Sequence, residues 1–365
     1  MRDHEHILLP LADGSTVEAH APVIVSASRS TDIPAFYADW FFGRLAAGWS
    51  AWKNPFNGKY MNISYAKTRF IVFWSKNPRP LLRHLDALRE RGIGCYVQFS
   101  LNDYADEGLE PNVPALEERI ETFLMLEERL GTGGVIWRND PLILTDRIGR
   151  DELLRKCERI GNSLKGHAEK LVFSFADITP KAAANLKRAG VTWREWSAEG
   201  MREYAGLLAR MNGAWGFELA TCAEAIDLEQ YGILHNHCVD ARLIIRRGWR
   251  DRQLMEHLGA EIRSYGNTLC PVPRPGDAID LGGGQYALCR RDNSDKGQRT
   301  RCGCIKSKDI GEYSTCRHFC AYCYANEGRG SVERKCGMHG QDPCAASISG
   351  EDAGTDAKIP RMSRR

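Results

Sequence analysis

The residues with the clearest potential for chemistry are cysteines. The chain of 365 residues contains 13 of them, and seven lie close together in sequence: Cys302, Cys304, Cys316, Cys320, Cys323, Cys336 and Cys344. The first ten residues show no basic segment followed by an apolar one, so we expect no secretory signal and a reducing, cytoplasmic location. In that setting clustered thiols favour metal binding or redox chemistry over disulfides.

Cys316, Cys320 and Cys323 form a C-x3-C-x2-C spacing, with Tyr322 directly before the last cysteine. Three thiolates this close can bind three irons of a [4Fe-4S] cluster and leave the fourth iron without a nearby cysteine. The spacing resembles that of radical S-adenosylmethionine (SAM) enzymes, in which the open iron binds SAM and the cluster cleaves it reductively to a 5′-deoxyadenosyl radical. The resemblance implies a [4Fe-4S] cluster, bound SAM and an electron donor such as flavodoxin or ferredoxin.

Two alternatives use the Cys302-Gly-Cys304 pair that precedes this spacing. Cys302, Cys304, Cys320 and Cys323 could form a closed tetrahedral zinc site, which would leave one of the five cysteines unused. Cys304 could instead be the fourth ligand of a closed, electron-transferring cluster. If the three-cysteine cluster is correct, the pair is a second ligand set, a conditional ligand or a redox pair. The sequence does not choose among these, and it leaves the roles of Cys336 and Cys344 open.

The elements that must position these residues follow an α/β pattern. From about residue 20 to about 225, short apolar runs alternate with amphipathic segments that carry helix start and stop signals. We predict strands at residues 23–27, 69–74, 95–101, 135–138, 171–175 and 217–220. Helices are predicted at residues 34–47, 77–92, 114–130, 151–164 and 180–189. The pattern favours a parallel (β/α) barrel, complete or partial, of the TIM or radical-SAM type; an open doubly wound sheet is the alternative.

The pattern changes after residue 270, and it suggests three parts. We predict an α/β barrel domain at 20–270, a Cys-rich iron–sulfur-binding arm at 271–344 and a disordered tail at 345–365. The net charge of +3 excludes a chain-wide charge for binding nucleic acid or a membrane surface. Residues 286–335, however, hold 11 Lys or Arg against 6 Asp or Glu, so the cysteines lie in a locally basic segment.

Polar residues near the carboxyl ends of the predicted strands are the other candidates, because parallel barrels carry their chemistry there. The candidate catalytic residues are Arg29, Asp32, Gln98, Asn102, Arg138, Asp140 and Glu218. The candidate cofactor contacts are Ser26, Ser28, Ser100 and Ser174. Buried polar groups need partners, so an internal hydrogen-bond network is the alternative to ligand contact, and Arg138 and Asp140 could simply pair.

Two further patterns carry weaker signals. His235, His237, Cys238 and Asp240 could be metal ligands, although a polar strand end is favoured. A run of arginines could contact phosphates, although a solvated helix face is more typical; it comprises Arg242, Arg246, Arg247, Arg250 and Arg252.

Several blocks together resemble the uncharacterised DUF1848 family. The C-terminal blocks are DKGQR at 295–299, CGCIKSKDIG at 302–311, YSTC at 313–316 and YCYAN at 322–326. The N-terminal blocks are SASRSTDIP at 26–34, NPF at 54–56, WSKNP at 74–78 and WRNDP at 137–141. The resemblance covers roughly residues 20–330. It implies a radical-SAM-like barrel with a distant likeness to spore photoproduct lyase and its relatives, but no defined reaction.

One departure from ordinary radical SAM enzymes concerns chain order. There the cluster loop follows the first barrel strand, whereas here the cysteines follow the whole α/β region and no strand is predicted directly before them. Either the barrel is permuted or a C-terminal arm folds over its mouth. A Gly-Gly-Glu motif for the SAM amine is also missing, and residues 282–284 (GGG) are more typical of a turn.

We therefore expect a cytoplasmic radical SAM-type enzyme that cleaves SAM reductively and acts on an unknown small-molecule or nucleic-acid substrate. No membrane partner is expected, because the longest apolar runs are strand-sized. The alternative is a nucleic-acid-binding or DNA-repair-associated protein whose Cys-rich arm is folded by zinc or a closed cluster.

Overall fold

The structure is a computed structural model that describes residues 4–10, 14–265, 278–298 and 301–350. Its strands, in chain order, are β1 His6–Pro10, β2 Thr16–His20, β3 Ile24–Ala27, β4 Trp49–Lys53, β5 Tyr60–Ser64, β6 Phe70–Ser75, β7 Gly94–Ser100, β8 Val135–Leu142, β9 Leu144–Thr145, β10 Lys170–Phe175, β11 Trp193–Arg194, β12 Glu218–Thr221, β13 Ile233–His235, β14 Ala260–Ser264, β15 Ala278–Gly282, β16 Gln285–Cys289 and β17 Lys308–Asp309.

The α-helices mostly follow strands. They are α1 Ile33–Phe36, α2 Ala38–Ala47, α3 Leu85–Glu90, α4 Leu116–Leu130, α5 Arg150–Leu164, α6 Pro180–Arg188, α7 Ala198–Asn212, α8 Ala241–Gly248, α9 Arg252–Leu258 and α10 Arg329–Gln341. Helices α2 and α9 end at the left-handed residues Gly48 and Gly259. Two 3-10 segments, Arg79–His84 and Glu229–Tyr231, precede α3 and β13. Within the described residues no helix has the length and apolar character needed to cross a membrane.

The main sheet has eight parallel strands in the order β13-β12-β10-β8-β7-β6-β3-β17. From β3 to β13 the spatial order follows the chain order and never reverses, unlike a doubly wound sheet. The prediction of a parallel α/β fold is therefore confirmed. In the described part of the chain β13 and β17 are the two edges of this sheet and are not paired with each other, so it is not closed into a complete barrel.

Both faces of the main sheet are buried, which explains why its strands are nearly continuous apolar runs. On β7, Val97 and Phe99 belong to the core shared with helices α4 and α5, whereas Tyr96 faces the opposite side. That second face packs with Ile244 and Leu254, from α8 and α9. The sheet therefore lies between two apolar layers. We call the face that carries Tyr96 and packs against α8 and α9 the inner face.

In the described part of the chain, three smaller sheets were not predicted. They are the two-stranded pair β11-β9, a sheet of the order β1-β2-β5-β4, and an antiparallel sheet of the order β14-β16-β15. The last of these joins residues on both sides of the domain boundary that we predicted at 270. The three glycines Gly282, Gly283 and Gly284 make its turn with positive φ angles of 76°, 59° and 75°, as expected for a tight hairpin.

The segment after residue 328 also differs from expectation. Residues 329–341 form α10, and residues 345–350, predicted to be disordered, are packed against the N-terminal region. The carbonyl of Ala346 accepts from Ala51 N (2.9 Å), and the carbonyl of Ala345 accepts from Trp40 Nε1 (2.9 Å). The prediction of disorder is therefore wrong for these six residues, because small apolar side chains suit a tight interface. Residues 351–365 lie outside the described residues.

Strand β17 directly precedes the segment that carries Cys316, Cys320 and Cys323, where we expected no strand. Its two residues are too few to give a periodic signal in the sequence. It pairs with β3, with Asp309 opposite Ser26. The Asp309 carboxylate accepts hydrogen bonds from Ser26 Oγ (3.1 Å), Ser28 Oγ (2.9 Å) and Arg29 N (2.7 Å). A Cβ at Gly311 would lie 1.8 Å from Ser28 Oγ, so only glycine permits this close approach.

Because one carboxylate holds this strand in place, Asp309→Ala should loosen the C-terminal part of the chain. We expect a loss of about 2–4 kcal/mol in the free energy of unfolding and faster limited proteolysis near residue 310. Urea unfolding and mass spectrometry of the fragments measure both effects. The control is Asp292→Ala, which removes an exposed carboxylate paired with Lys296. Equal stability of the two variants would contradict the assigned role of Asp309.

Candidate functional site

Residues 312–327, which we call the cysteine loop, carry Cys316, Cys320 and Cys323. The loop is folded on itself: Cys323 N donates to Cys320 O (3.1 Å), and Asn326 Nδ2 donates to Cys316 O (2.8 Å). These short-range bonds hold the three cysteines in one compact turn. The C-x3-C-x2-C spacing thus corresponds to a defined backbone conformation.

The cysteine loop lies at the carboxyl ends of β3, β6 and β7. Tyr324 Oη donates to the carbonyl of Arg29, just after β3 (2.7 Å), and Ala321 N donates to the carbonyl of Leu109, in the segment after β7 (2.8 Å). Lys76, which follows β6, contacts Tyr322 of the loop. The loop therefore occupies the edge where the sequence predicted the chemistry.

The three thiols of the loop are half-buried neighbours. Burial raises the pKa of Cys316, Cys320 and Cys323, and the nearby Asp32 and Glu110 carboxylates raise the pKa of Cys316 and Cys320 respectively. Ala325 N donates to Cys323 Sγ (3.3 Å). Because metals bind the thiolate, any metal taken up here must displace protons.

In the described part of the chain, no three His, Cys, Asp or Glu side chains surround a common point as ligands of a single ion. As they stand, Cys302, Cys304, Cys320 and Cys323 therefore do not assemble the closed zinc site considered from the sequence. His235, His237 and Asp240 do not gather around one ion either. Asp240 instead caps α8, its carboxylate accepting from Arg242 N (2.8 Å).

Asp32 fixes the cysteine loop to the sheet. Its carboxylate lies 2.8 Å from His318 Nε2 and accepts from Ser75 Oγ (2.7 Å), Lys76 N (2.8 Å) and Ala35 N (2.9 Å). Burial alone would raise the pKa of Asp32, but the bonds from His318, Lys76 and Ser75 outweigh it and lower the pKa. One buried carboxylate therefore joins the segment after β3, the end of β6 and the middle of the C-x3-C-x2-C motif.

A second buried network surrounds Lys76 and Glu110. Lys76 Nζ lies 2.8 Å from Glu110 Oε1 and 3.0 Å from Tyr322 Oη, while Tyr322 also donates to Glu110. The opposing charges of Lys76 and Arg119 outweigh burial and lower the pKa of Glu110 to about 2. Burial alone would lower the pKa of Lys76, but Glu110 and Cys320 raise it. Lys76 is therefore a fixed positive charge beside Cys320.

Asn102 belongs to the same network, as its predicted place at the end of β7 suggested. Its side chain is fully buried; Nδ2 donates to Glu110 Oε1 (3.1 Å), and Oδ1 accepts from Asp140 N (3.0 Å). Asn102 therefore connects the Lys76–Glu110 pair to β8.

The other polar residues of the inner face form the internal network that was the alternative to ligand contact. Arg138 pairs with Asp140, as considered from the sequence, and donates to Gln98 Oε1 (3.3 Å). Ser174 Oγ donates to Asp140. The Arg138 guanidinium lies 5.2 Å from the centre of the Trp74 ring. The half-buried Trp74 ring therefore lies beside the guanidinium of this network.

Three candidate residues at the end of β3 have side chains that are hydrogen-bonded within the protein. Ser26 and Ser28 donate to Asp309, as described above, so their hydroxyls are engaged by a carboxylate of β17. Arg29 donates through Nη1 to Gln298 Oε1 (3.1 Å) and through Nη2 to Ser307 Oγ (3.3 Å). Its guanidinium carbon is 5.8 Å from the Trp74 ring centre, so Trp74 has a guanidinium from each of two strand ends nearby.

The remaining candidates lie in different places. Ser100 is half-buried at the end of β7, next to Arg138 in register. The sequence prediction placed Glu218 near the carboxyl end of a strand, and this placement is wrong. Glu218 is the first residue of β12, so it lies at the amino edge of the sheet, where its half-exposed side chain pairs with Lys170 (2.9 Å). The predicted strand began one residue early, and Glu218 was assigned to the wrong end of it.

The structure groups Cys302 and Cys304 with two cysteines of the α/β region. Cys304 and Cys238 are buried in one cluster, and Cys302 packs against it. The Sγ atoms of Cys222 and Cys238 lie 3.3 Å apart. Sequence reasoning did not connect Cys222 with this pair, since about 80 residues separate them and no spacing rule applies. It also missed Glu110 and His318, which carry no spacing signal.

The arginine run is largely used in internal contacts. Arg246 makes a two-point ion pair with Glu169, both distances being 2.5 Å. Arg247 donates to the carbonyls of Cys95 (3.0 Å) and Leu130 (2.9 Å). These guanidiniums tie α8 to the main sheet, so the run offers fewer free charges for phosphates than its sequence suggests.

The comparisons with known proteins yield a family match. The model of a family described as "Domain of unknown function (DUF1848)" matches residues 24–325, from the start of β3 into the cysteine loop. No curated protein and no solved structure matches the chain.

The buried Glu110 carboxylate should make stability depend on acid pH. Its pKa is about 2 in the folded chain against an ordinary value of 4.5, so its contribution is complete above about pH 5 and is lost as the pH falls towards about 2. The shift corresponds to about 3 kcal/mol at most. Glu110→Gln should lower stability at neutral pH and flatten the pH dependence.

Urea unfolding between about pH 3 and about pH 7 measures the slope of the free energy of unfolding against pH. The control is Glu121→Gln, an exposed residue paired with Arg79, which should keep the wild-type slope. If Glu110→Gln kept it as well, the assigned pairing of Glu110 would be wrong.

Proposed function

Since the chain belongs to the DUF1848 family, whose description names no activity, we propose a function from its site: an iron–sulfur enzyme of the radical SAM type. Cys316, Cys320 and Cys323 would hold a [4Fe-4S] cluster. The observation that carries this proposal is the position of three half-buried, neighbouring thiols at the carboxyl edge of a parallel α/β sheet.

The donor set fits such a cluster. One loop supplies three thiols, and a backbone N–H donates to Cys323 Sγ. Two further cysteines of the C-terminal region have other partners: Cys304 Sγ accepts from Val239 N (3.3 Å), and Cys336 Sγ lies 3.3 Å from Tyr37 Oη. These contacts favour a cluster with one iron open to a ligand over a closed one.

The strand order supports the same proposal. Starting from β17, the main sheet continues through β3, β6, β7, β8, β10 and β12 to β13. The cysteine loop directly follows β17, as the cluster loop of a radical SAM enzyme follows its first strand. We propose a partial barrel with permuted chain order, in which the first strand of the barrel comes last in the sequence. Such a permutation would explain why the cysteines follow the whole α/β region in the sequence.

When bound, the cluster supplies the electron that cleaves SAM reductively. Lys76 places a positive charge beside Cys320, which stabilises negative charge on that sulfur. Trp74 offers a flat surface between Arg29 and Arg138, and its buried Nε1 has no hydrogen-bond partner in the described residues. We assign this indole to ligand binding, through ring stacking and one donated hydrogen bond.

The substrate, small molecule or nucleic acid, and an electron donor such as flavodoxin or ferredoxin belong to this proposal as partners. The alternative, a nucleic-acid-binding protein with a zinc-folded or closed-cluster arm, has no specific contact in its favour, because the arginine run binds Glu169 and backbone carbonyls.

Anaerobic reconstitution with iron and sulfide tests the proposal. We expect about four irons and four sulfides per chain at the loop, and 5′-deoxyadenosine from SAM after reduction with dithionite. Cys316→Ser, Cys320→Ser and Cys323→Ser should each abolish its formation. The control is Cys289→Ser, a half-buried cysteine of β16. If the wild-type cluster forms but SAM is never cleaved, the proposal fails.

Lys76→Met tests the charge beside Cys320. Removing a positive charge near the cluster disfavours the more negative, reduced state, so the reduction potential should fall by about 30–100 mV. A redox titration followed by EPR measures it. Lys67→Met, which removes a more exposed lysine paired with Glu5, is the control. An unchanged potential in Lys76→Met would contradict the assigned proximity.

A further inference from the structure

Four cysteines from three separate segments meet beside the main sheet. Cys222 directly follows β12, Cys238 follows β13, and Cys302 and Cys304 precede β17. They form a continuous group: Cys222 Sγ lies 3.3 Å from Cys238 Sγ, and Cys304 Sγ accepts from the backbone N of Val239, the residue next to Cys238 (3.3 Å). Cys302 packs against the same cluster. All four are free thiols. We call them the edge cysteines.

The edge cysteines lie where the main sheet is left open. In the described residues β13 and β17 do not pair, but the segments beside them touch: Ile305 N donates to Val239 O (2.9 Å), and Arg301 Nη1 donates to Ala225 O (2.6 Å). Two thiols come from one side of this gap and two from the other. A group held by all four would therefore connect the sheet edges.

Several N–H groups point at the edge sulfurs. Arg138 Nη1 donates to Cys238 Sγ (3.1 Å), and so does Asn236 Nδ2 (3.2 Å); Val239 N donates to Cys304 Sγ (3.3 Å). A neutral thiol is a weak acceptor. Donors aimed at sulfur are typical of metal-bound thiolates, where such outer contacts orient the ligands.

We propose that Cys222, Cys238, Cys302 and Cys304 form a second metal site, in which four thiolates hold one tetrahedral ion of the zinc type. A Zn–S bond of about 2.3 Å places the sulfurs about 3.8 Å apart, similar to the contact at Cys222 and Cys238, whereas a four-iron cluster holds its thiolates farther apart. The side chains as they stand do not surround one point, so ion binding requires them to rotate.

This site is separate from the cysteine loop, and the inference does not rest on the proposed radical chemistry. Its effect would be structural. An ion at the sheet edge would hold β17, and with it the start of the cysteine loop, against β12 and β13. It would also give the Cys302-Gly-Cys304 pair a role: the pair would supply two of the four ligands, and Cys222 and Cys238 of the α/β region would supply the other two.

The experiment uses the full chain with Cys316→Ser, Cys320→Ser and Cys323→Ser, which removes the loop thiols. We expect about one zinc, or one iron without acid-labile sulfide, per chain by mass spectrometry of the metals. Adding Cys222→Ser and Cys238→Ser should remove it, whereas adding Cys289→Ser should not. An iron content with matching sulfide in the triple variant, or a metal content that the edge substitutions leave unchanged, overturns the proposal.

Because edge substitutions could unfold the chain, a second measurement uses the wild-type protein. Native alkylation mapped by mass spectrometry should show the four edge cysteines protected, and addition of a chelator should make them reactive. A disulfide between Cys222 and Cys238, or free alkylation of all four in metal-replete protein, overturns the site. Failure of SAM cleavage with an intact edge metal would reject only the radical function.

Discussion

The buried carboxylate of Asp32 is the constraint on which the site depends. It accepts from Ser75 and from the backbone of Lys76 and Ala35, and it also holds His318, which lies midway between Cys316 and Cys320. A buried charge is stable only when its partners are in place. The strand ends and the cysteine loop must therefore form together, and the position of the three thiols follows from the sheet.

The C-terminal segment is accordingly part of the main sheet's architecture. Asp309 fixes β17 to β3, Asp32 fixes His318, and Glu110 fixes Tyr322. Each of these bonds joins a carboxylate to a residue far away in sequence. Within the segment itself, Lys335 forms an ion pair with Glu312. The segment thus resembles the closing element of the sheet more than an independent arm.

The sequence predicted the main sheet well, because strands buried on both faces are continuous apolar runs bounded by glycine and polar turns. It missed the hairpin of β4 and β5, and β17 is too short for any pattern. Cys316, Cys320 and Cys323 could be found because their spacing is local. The sequence could not show that Glu110 contacts Tyr322 or that Cys222 lies near Cys304, since only the folded sheet brings these residues together. Ser26 and Ser28 were correctly placed at a strand end, but Asp309 occupies their hydroxyls.

A cluster in the cysteine loop with one iron open to SAM is what we propose. It is tested most directly by the EPR spectrum of the reduced, reconstituted protein before and after SAM is added, with SAM labelled by 17O at the carboxylate. We expect a shift of the cluster signal and hyperfine coupling to the label, because the proposed open iron would bind the amino acid moiety of SAM. Identical spectra without 17O coupling would contradict it.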